Sequence, residues 1–199
     1  MTNNQRDWKE FALLAIDLQR DFWSDEIAKA SPNYPGNISQ LFKLCRSDGI
    51  EIIHLRASYN PDQSDWMPMY KLRGSVPCVQ GTGGEEVLPF AIEKSGEKVF
   101  MKKTYDGFIN TGLLEYLNQK EKRFVLCAGL VTSICVFLTT ASAAQNNFLT
   151  AIIEDCCADK TDKHLTTLNN FDFIFYRTKV NNIQNDYSKW SASIKSIFC

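Results

Sequence analysis

Three residues in this chain have the types and positions to do chemistry together: Asp17, Lys102 and Cys135. Asp17 follows the apolar run "FALLAI", Lys102 follows "VFM", and Cys135 lies just beyond "FVLCAGLVTSI". Ligands of open parallel sheets bind outside the carboxyl ends of the strands, so polar residues that close apolar strands are the natural place to look. A free cysteine has a pKa of about 8.5, and both a cationic neighbour and a helix N-terminus favour its thiolate. Lys102 would supply the first and a helix starting at Thr132 the second. The aspartate would take the thiol proton as general base and return it to the leaving group, while the lysine fixes geometry and balances charge. Taken singly, each residue has an ordinary structural reading, as a helix cap, a solvated lysine or an inert buried thiol. Together they form a nucleophile, a base and an orienting group with neither serine nor histidine.

Other motifs carry less. "GTGGEE" at Gly81 to Glu86 neither follows the first strand nor opens a helix, as a dinucleotide fingerprint must. There is no GxxxxGK[ST] and no GxSxG. The two histidines, His54 and His164, lack metal-ligand spacing, so neither metal nor cofactor is expected. His54 closes the second strand, where a satisfied structural histidine is commoner than a catalytic one.

The elements that must position the three residues follow from the apolar pattern. Continuous apolar runs at Phe11 to Ile16, Ile50 to Leu55, Val99 to Met101, Phe124 to Ala128, Leu149 to Ile153 and Phe173 to Tyr176 read as strands covered on both faces. Asn37 to Asp48 and Asn110 to Lys120 have helical spacing, the first stopping at Gly49. Thr132 to Asn146 is apolar nearly all round and predicts a helix buried in the middle of the fold. Ala57 to Glu86 reads as a long, functional loop. The pattern is that of an α/β sandwich on a parallel sheet.

At 199 residues, with no internal repeat or linker, residues 1–199 read as one domain able to bury a large core. Lys plus Arg total 22 against 23 for Asp plus Glu, a net charge of -1 without charge runs, which points away from nucleic acid and membrane surfaces. No signal or transit peptide and no membrane span is evident. Seven cysteines without CxxC spacing indicate free thiols in a cytosolic, reducing setting, with Cys156 and Cys157 as small buried hydrophobes.

"LLAIDLQRDF", "KKTYDGFINTGL" and "CAGLVTSICV" resemble, respectively, the opening strand, lysine segment and nucleophile elbow of the isochorismatase-like hydrolases. The resemblance implies a Rossmann-like three-layer α/β/α sandwich with a six-stranded parallel sheet, and amide hydrolysis through a thioester. It matches Asp17 to the base, Cys135 to the nucleophile and Lys102 to the lysine of a K-x-x-Y-x-x-F pattern. Lys103, adjacent on the strand, would point to the opposite face. The resemblance also implies a cis peptide between Leu130 and Val131, with Gly129 giving room, and an oxyanion hole formed by the N–H groups of Val131 and Cys135. A small-molecule pocket is expected from Phe22, the Tyr59 to Trp66 loop with Trp66 itself, Tyr105 and Phe108. Relatives form oligomers, so a homo-oligomer is possible on this basis alone.

Two departures qualify the resemblance. The stretch "LRASYNPDQSDW" lacks the histidines with which nicotinamidases of the family hold a metal, and the elbow carries Ser133 and Ile134 where relatives often have other polar residues. The favoured reading is a cofactor-free hydrolase of a small amide or ureido compound. Vinyl ether hydrolysis of the isochorismatase type, and a catalytically idle binding module, are the alternatives.

Overall fold

A computed structural model describes residues 6–160 and 162–198. The expectation about a leader falls largely on residues 1–5, outside the described residues, as does Cys199. The chain runs β1 (Phe11–Ile16), α1 (Asp25–Ala30), α2 (Tyr34–Asp48), β2 (Glu51–Ala57), α3 (Pro68–Arg73) and β3 (Lys98–Lys102). It continues through α4 (Leu113–Gln119), β4 (Phe124–Leu130), α5 (Phe137–Gln145), β5 (Leu149–Ala158), α6 (Lys163–Asn170), β6 (Tyr176–Thr178) and α7 (Ile183–Phe198).

The six strands form one sheet in the order β3-β2-β1-β4-β5-β6, and every pairing is parallel. Helices cover both faces, as the continuous apolar runs require. Along β1 the side chains alternate between two cores. Phe11, Leu13 and Ala15 pack with α2 and α7 through Ile38, Leu41, Phe42, Trp190 and Ile194. Ala12, Leu14 and Ile16 pack on the other face with Leu113, Leu117, Val136, Ala143 and Leu168. Each fully buried Leu, Ile or Phe contributes about 1.5–3 kcal/mol, so these layers hold the strand ends rigidly in register.

The chain winds outward from β1 to β3 and then returns to place β4 beside β1. That reversal opens a crevice at the carboxyl ends of β1 and β4. The two strands approach closely there. Ile16 pairs with Gly129, whose φ is +141°, and a Cβ built on Gly129 would lie 2.0 Å from the Ile16 carbonyl oxygen. Glycine is required for both reasons. The next peptide, Leu130–Val131, is cis.

Four expectations need correction. The Phe173 to Tyr176 run is not the last strand: β6 begins at Tyr176 and Phe173 is 80% exposed, because Thr178 rather than Phe173 reaches the sheet register opposite Ile153. The helix after β4 is not buried all round. Thr132–Val136 forms a π-type turn before α5 begins, and Ile134 and Leu138 reach solvent. The long loop contains α3, opened by Pro68 where a missing N–H costs nothing and ended by Gly74 in the left-handed region. Finally, β5 extends to Ala158 through an irregularity that pairs Gly129 with Cys157 rather than continuing the register from Ile152. Among the described residues no helix is long and apolar enough to cross a membrane.

Candidate active site

Asp17 is the first residue after β1, held by its N–H on the Leu55 carbonyl at 2.8 Å, while its own carbonyl accepts the Gln19 N–H at 2.8 Å. This tight turn gives Asp17 a φ of +50°, a region that aspartate tolerates better than most residues. Gln19, itself buried, fixes the turn from the other side. Its amide donates to the carbonyls of Ala57 and Glu85, and its oxygen accepts the Ala57 N–H at 2.8 Å.

Lys102 ends β3 opposite Ala57, and only 1% of its surface is exposed. Its ammonium lies 2.8 Å from Asp17 Oδ2 and donates to the Thr104 carbonyl at 2.8 Å, the Tyr105 carbonyl at 3.4 Å and Cys135 Sγ at 3.7 Å. The three residues expected to act together therefore meet at the β1/β4 crevice. Among the described residues Asp17 is held chiefly by its ion pair with Lys102, which is why both side chains can be fully buried.

Cys135 sits on the turn after β4, and two polar contacts from the β5–α6 segment pin that turn. Asp159 Oδ2 accepts the Ser133 N–H at 2.7 Å, and its other oxygen accepts the Lys160 N–H at 2.7 Å. Thr132 Oγ1 and His164 Nδ1 are 2.8 Å apart. The Val131 carbonyl accepts the N–H groups of Ile134 at 3.2 Å and Val136 at 3.3 Å, on either side of Cys135.

Burial dominates the electrostatics of the site. Burial pushes the Cys135 thiol well above its ordinary value and the Asp17 charge adds to this, outweighing Lys102. Burial likewise raises the Asp17 carboxyl against the opposing effect of Lys102. Desolvation alone would lower Lys102, but Asp17 and Cys135 hold it above its ordinary value. Burial and the Asp17 carboxylate thus both favour the protonated form of the Cys135 thiol, and Lys102 opposes them. The cysteine lies 4% exposed, where desolvation of an anion costs more than one paired cation returns.

The remaining candidates separate clearly. Lys103 points away, pairing with Asp65 at 2.6 Å and donating to the Ser58 carbonyl. His54 is buried against Phe42 and bonded to Glu97 at 2.9 Å, a structural role on the α2 face. Phe22, Trp66 and Tyr105 all pack on one small cluster of Ala57, Tyr59, Tyr70 and Cys78. Phe108 instead packs near Phe148, with ring centroids 6.2 Å apart, just before β5 begins. Phe108 and Tyr105 both pack against the buried cluster that contains Cys135. The cysteines other than Cys199 are free and buried. Among the described residues no group of three or more His, Cys, Asp or Glu side chains is placed to hold a metal ion.

Sequence reasoning did not find Gln19, Asp159, His164, Thr132 or Tyr70. Gln19 carried a signal, a polar residue two places after the strand-end aspartate. The others act through contacts between segments distant in sequence.

An all-parallel, doubly covered sheet with Asp, Lys and Cys gathered at the carboxyl ends of β1, β3 and β4 defines a Rossmann-like α/β/α enzyme scaffold. The chain belongs to the isochorismatase family, whose isochorismatase domain model matches residues 11–177. It is 25% identical to maleamate amidohydrolase of Pseudomonas putida over 169 residues, covering 81% of this chain and 78% of that protein. It is also 25% identical to the nicotinamidase/pyrazinamidase of Mycobacterium tuberculosis over 166 residues, covering 74% and 86%. The fold matches the crystal structure of an isochorismatase family protein from Desulfovibrio vulgaris with a TM-score of 0.82 at 21% identity, covering 90% of this chain and 98% of that one. The protein is therefore a member of a hydrolase family that includes amidases.

Proposed function

We propose that this protein hydrolyses the C–N bond of a small amide or ureido compound, with Cys135 as nucleophile, Asp17 as general acid/base and Lys102 as the charge-balancing orienter. The observation that carries this reading is the Lys102 ammonium, 2.8 Å from Asp17 Oδ2 and 3.7 Å from Cys135 Sγ in a site closed to bulk water. The amidase names among the relatives agree with it.

Burial favours the protonated thiol, so in this mechanism the proton moves as the sulfur attacks. Asp17 takes the proton while Sγ bonds to the carbonyl carbon, and the charge passes to the carbonyl oxygen. The N–H groups of Val131 and Cys135 are the donors assigned to that oxygen. Collapse of the adduct breaks the C–N bond, Asp17 returns the proton to the leaving nitrogen, and a thioester remains. Water then attacks the thioester, with Asp17 again taking a proton and returning it to sulfur. Lys102 stays charged throughout, so the carboxylate gains and loses its proton beside a fixed cation.

Screening a panel of small amides for ammonia release, wild type against Cys135→Ala, tests the mechanism. The thiol-to-methyl change should abolish turnover and leave the fold intact, and mass spectrometry of quenched wild type should detect an acyl adduct on Cys135. Substantial turnover by Cys135→Ala rules the mechanism out.

A further inference from the structure

The turn that carries Cys135 opens a helical segment whose start is apolar. Val131 stands at the cap position and offers no side-chain acceptor, although the first N–H groups of a helix have no partner within it. A residue from another strand supplies the acceptor. Asp159 directly follows β5 and is 4% exposed; its Oδ2 accepts the Ser133 N–H at 2.7 Å and its Oδ1 the Lys160 N–H at 2.7 Å. The irregular register of β5 puts it there. Continued from the pairing of Cys127 with Ile152, the register would set Glu154 against Gly129 and Asp155 against Leu130. Cys157 and Ala158 stand at those places instead and bring Asp159 to the turn.

Among the described residues no lysine or arginine pairs with Asp159, and the Lys160 ammonium goes to Glu26 at 3.1 Å. A buried carboxylate without a cation is costly unless strong hydrogen bonds replace its water. Here two backbone N–H groups and the positive end of a helix do so. Asparagine, with one oxygen, could fill only one of the two acceptor positions. The bond to Ser133 fixes the peptide that joins Thr132 to Ser133. That peptide lies between Val131 and Cys135, whose N–H groups are the donors assigned to the carbonyl oxygen of the substrate. The N–H groups of Ile134 and Val136 are taken by the Val131 carbonyl. Without Asp159 the Ser133 N–H would be released and its peptide would be free to turn.

We infer that Asp159 is a positioning residue, which holds the turn so that the Val131 and Cys135 N–H groups keep their aim at the carbonyl oxygen, acting through these donors rather than through the sulfur. This rests on the amidohydrolase reading above. The test compares two reactions of Cys135 in the intact protein, acetylation by p-nitrophenyl acetate and alkylation by iodoacetamide, with rates read from the Cys135 peptide by mass spectrometry after acid quench. Acetylation forms the S–C bond and expels p-nitrophenolate, the thiol proton passing to Asp17; negative charge develops on a carbonyl oxygen, so the N–H donors are needed. Alkylation displaces iodide from carbon and does not need them. Asp159→Ala should slow acetylation about tenfold, the worth of one hydrogen bond to a charged group, and leave alkylation within about twofold of wild type. Asp159→Asn keeps one neutral acceptor for the Ser133 N–H and should slow acetylation only about threefold, since a neutral bond is roughly half as strong. If the alanine variant does not fold, the asparagine variant alone carries the test. Equal slowing of both reactions would make Asp159 purely structural, and unchanged acetylation would overturn the inference as directly; either result in a protein whose wild-type Cys135 is acetylated leaves the thiol mechanism standing. No labelling of wild-type Cys135 by either reagent would remove the mechanism and this inference with it.

Discussion

Thr132 Oγ1 and His164 Nδ1 lie 2.8 Å apart, joining the turn that carries Cys135 to the first residues of α6. His164 is held below its ordinary pKa by burial, which outweighs the carboxylates of Glu154 and Asp159, so it is neutral at pH 7. A neutral imidazole can accept from the hydroxyl or donate to it, and either way the bond fixes the turn. Loss of one such bond is worth about 1–1.5 kcal/mol, or roughly a tenfold change in rate. His164→Ala is expected to lower kcat by about that factor with KM little changed, and His164→Asn to recover part of it. Equal loss in both variants, or a change confined to KM, would mean that His164 only supports the fold.

The Asp17–Lys102 pair makes a stability prediction independent of substrate. Removing one partner of a buried pair leaves the other uncompensated, at a cost of about 3–5 kcal/mol. Asp17→Asn and Lys102→Met should each shift urea unfolding by that order. The double variant should be more stable than either single one, because no buried charge remains. Additive losses in the double variant would show that the pair is not coupled.

The protonation states set the pH dependence of activity. In the proposed mechanism Asp17 must be ionised to accept the thiol proton, and burial raises its pKa above the ordinary 3.8. kcat/KM should therefore rise with pH along a single acid limb centred above that value. The Cys135 thiol, pushed well above 9.0 by burial, should add no second rise in the usual thiol range. A profile governed by one ionisation between pH 8 and 9 would assign the limb to a resting thiolate instead.

A separate prediction concerns stability and lies away from the site. Burial of Glu97 opposes its ionisation, but bonds from Arg46, the Lys94 N–H and His54 prevail and lower its pKa from 4.5 to about 2. A depressed carboxylate adds stability that is present above its unfolded pKa and lost as pH falls through the folded one. Between pH 4.5 and about 2 the wild type should lose stability that Glu97→Gln never had, so the two acid-unfolding curves should converge toward the acid end. Parallel curves across that window would mean that the carboxylate is not stabilised by folding.

How much was legible in the sequence depended on whether a signal was local. The β1 boundaries, Phe11 to Ile16, follow from an uninterrupted apolar run, and the strand-end positions of Asp17 and Lys102 follow from where such runs stop. Lys103 lies one residue past the end of β3 and turns to Asp65, away from Asp17. The upward shift of the Cys135 thiol could not be read, because it depends on how completely the surrounding segments bury the sulfur. His164 and Asp159 bear on the turn only because β5 ends beside it. Phe173 looked like a strand residue by composition, yet the bend after α6 turns it outward.

β3 occupies the edge of the sheet and pairs with β2 alone, yet it delivers Lys102 to the centre of the site. Edge strands open more readily than interior ones, by local fluctuations that leave the rest of a domain intact. Here each such opening would withdraw the cation from Asp17 and leave a buried carboxylate alone, so the ion pair itself acts as the latch on the strand. Pairing of β3 with the sheet and contact of Lys102 with Asp17 are in this way one equilibrium. Hydrogen exchange at the amides of β3 reports, in the absence of any substrate, the fraction of molecules in which the site is assembled.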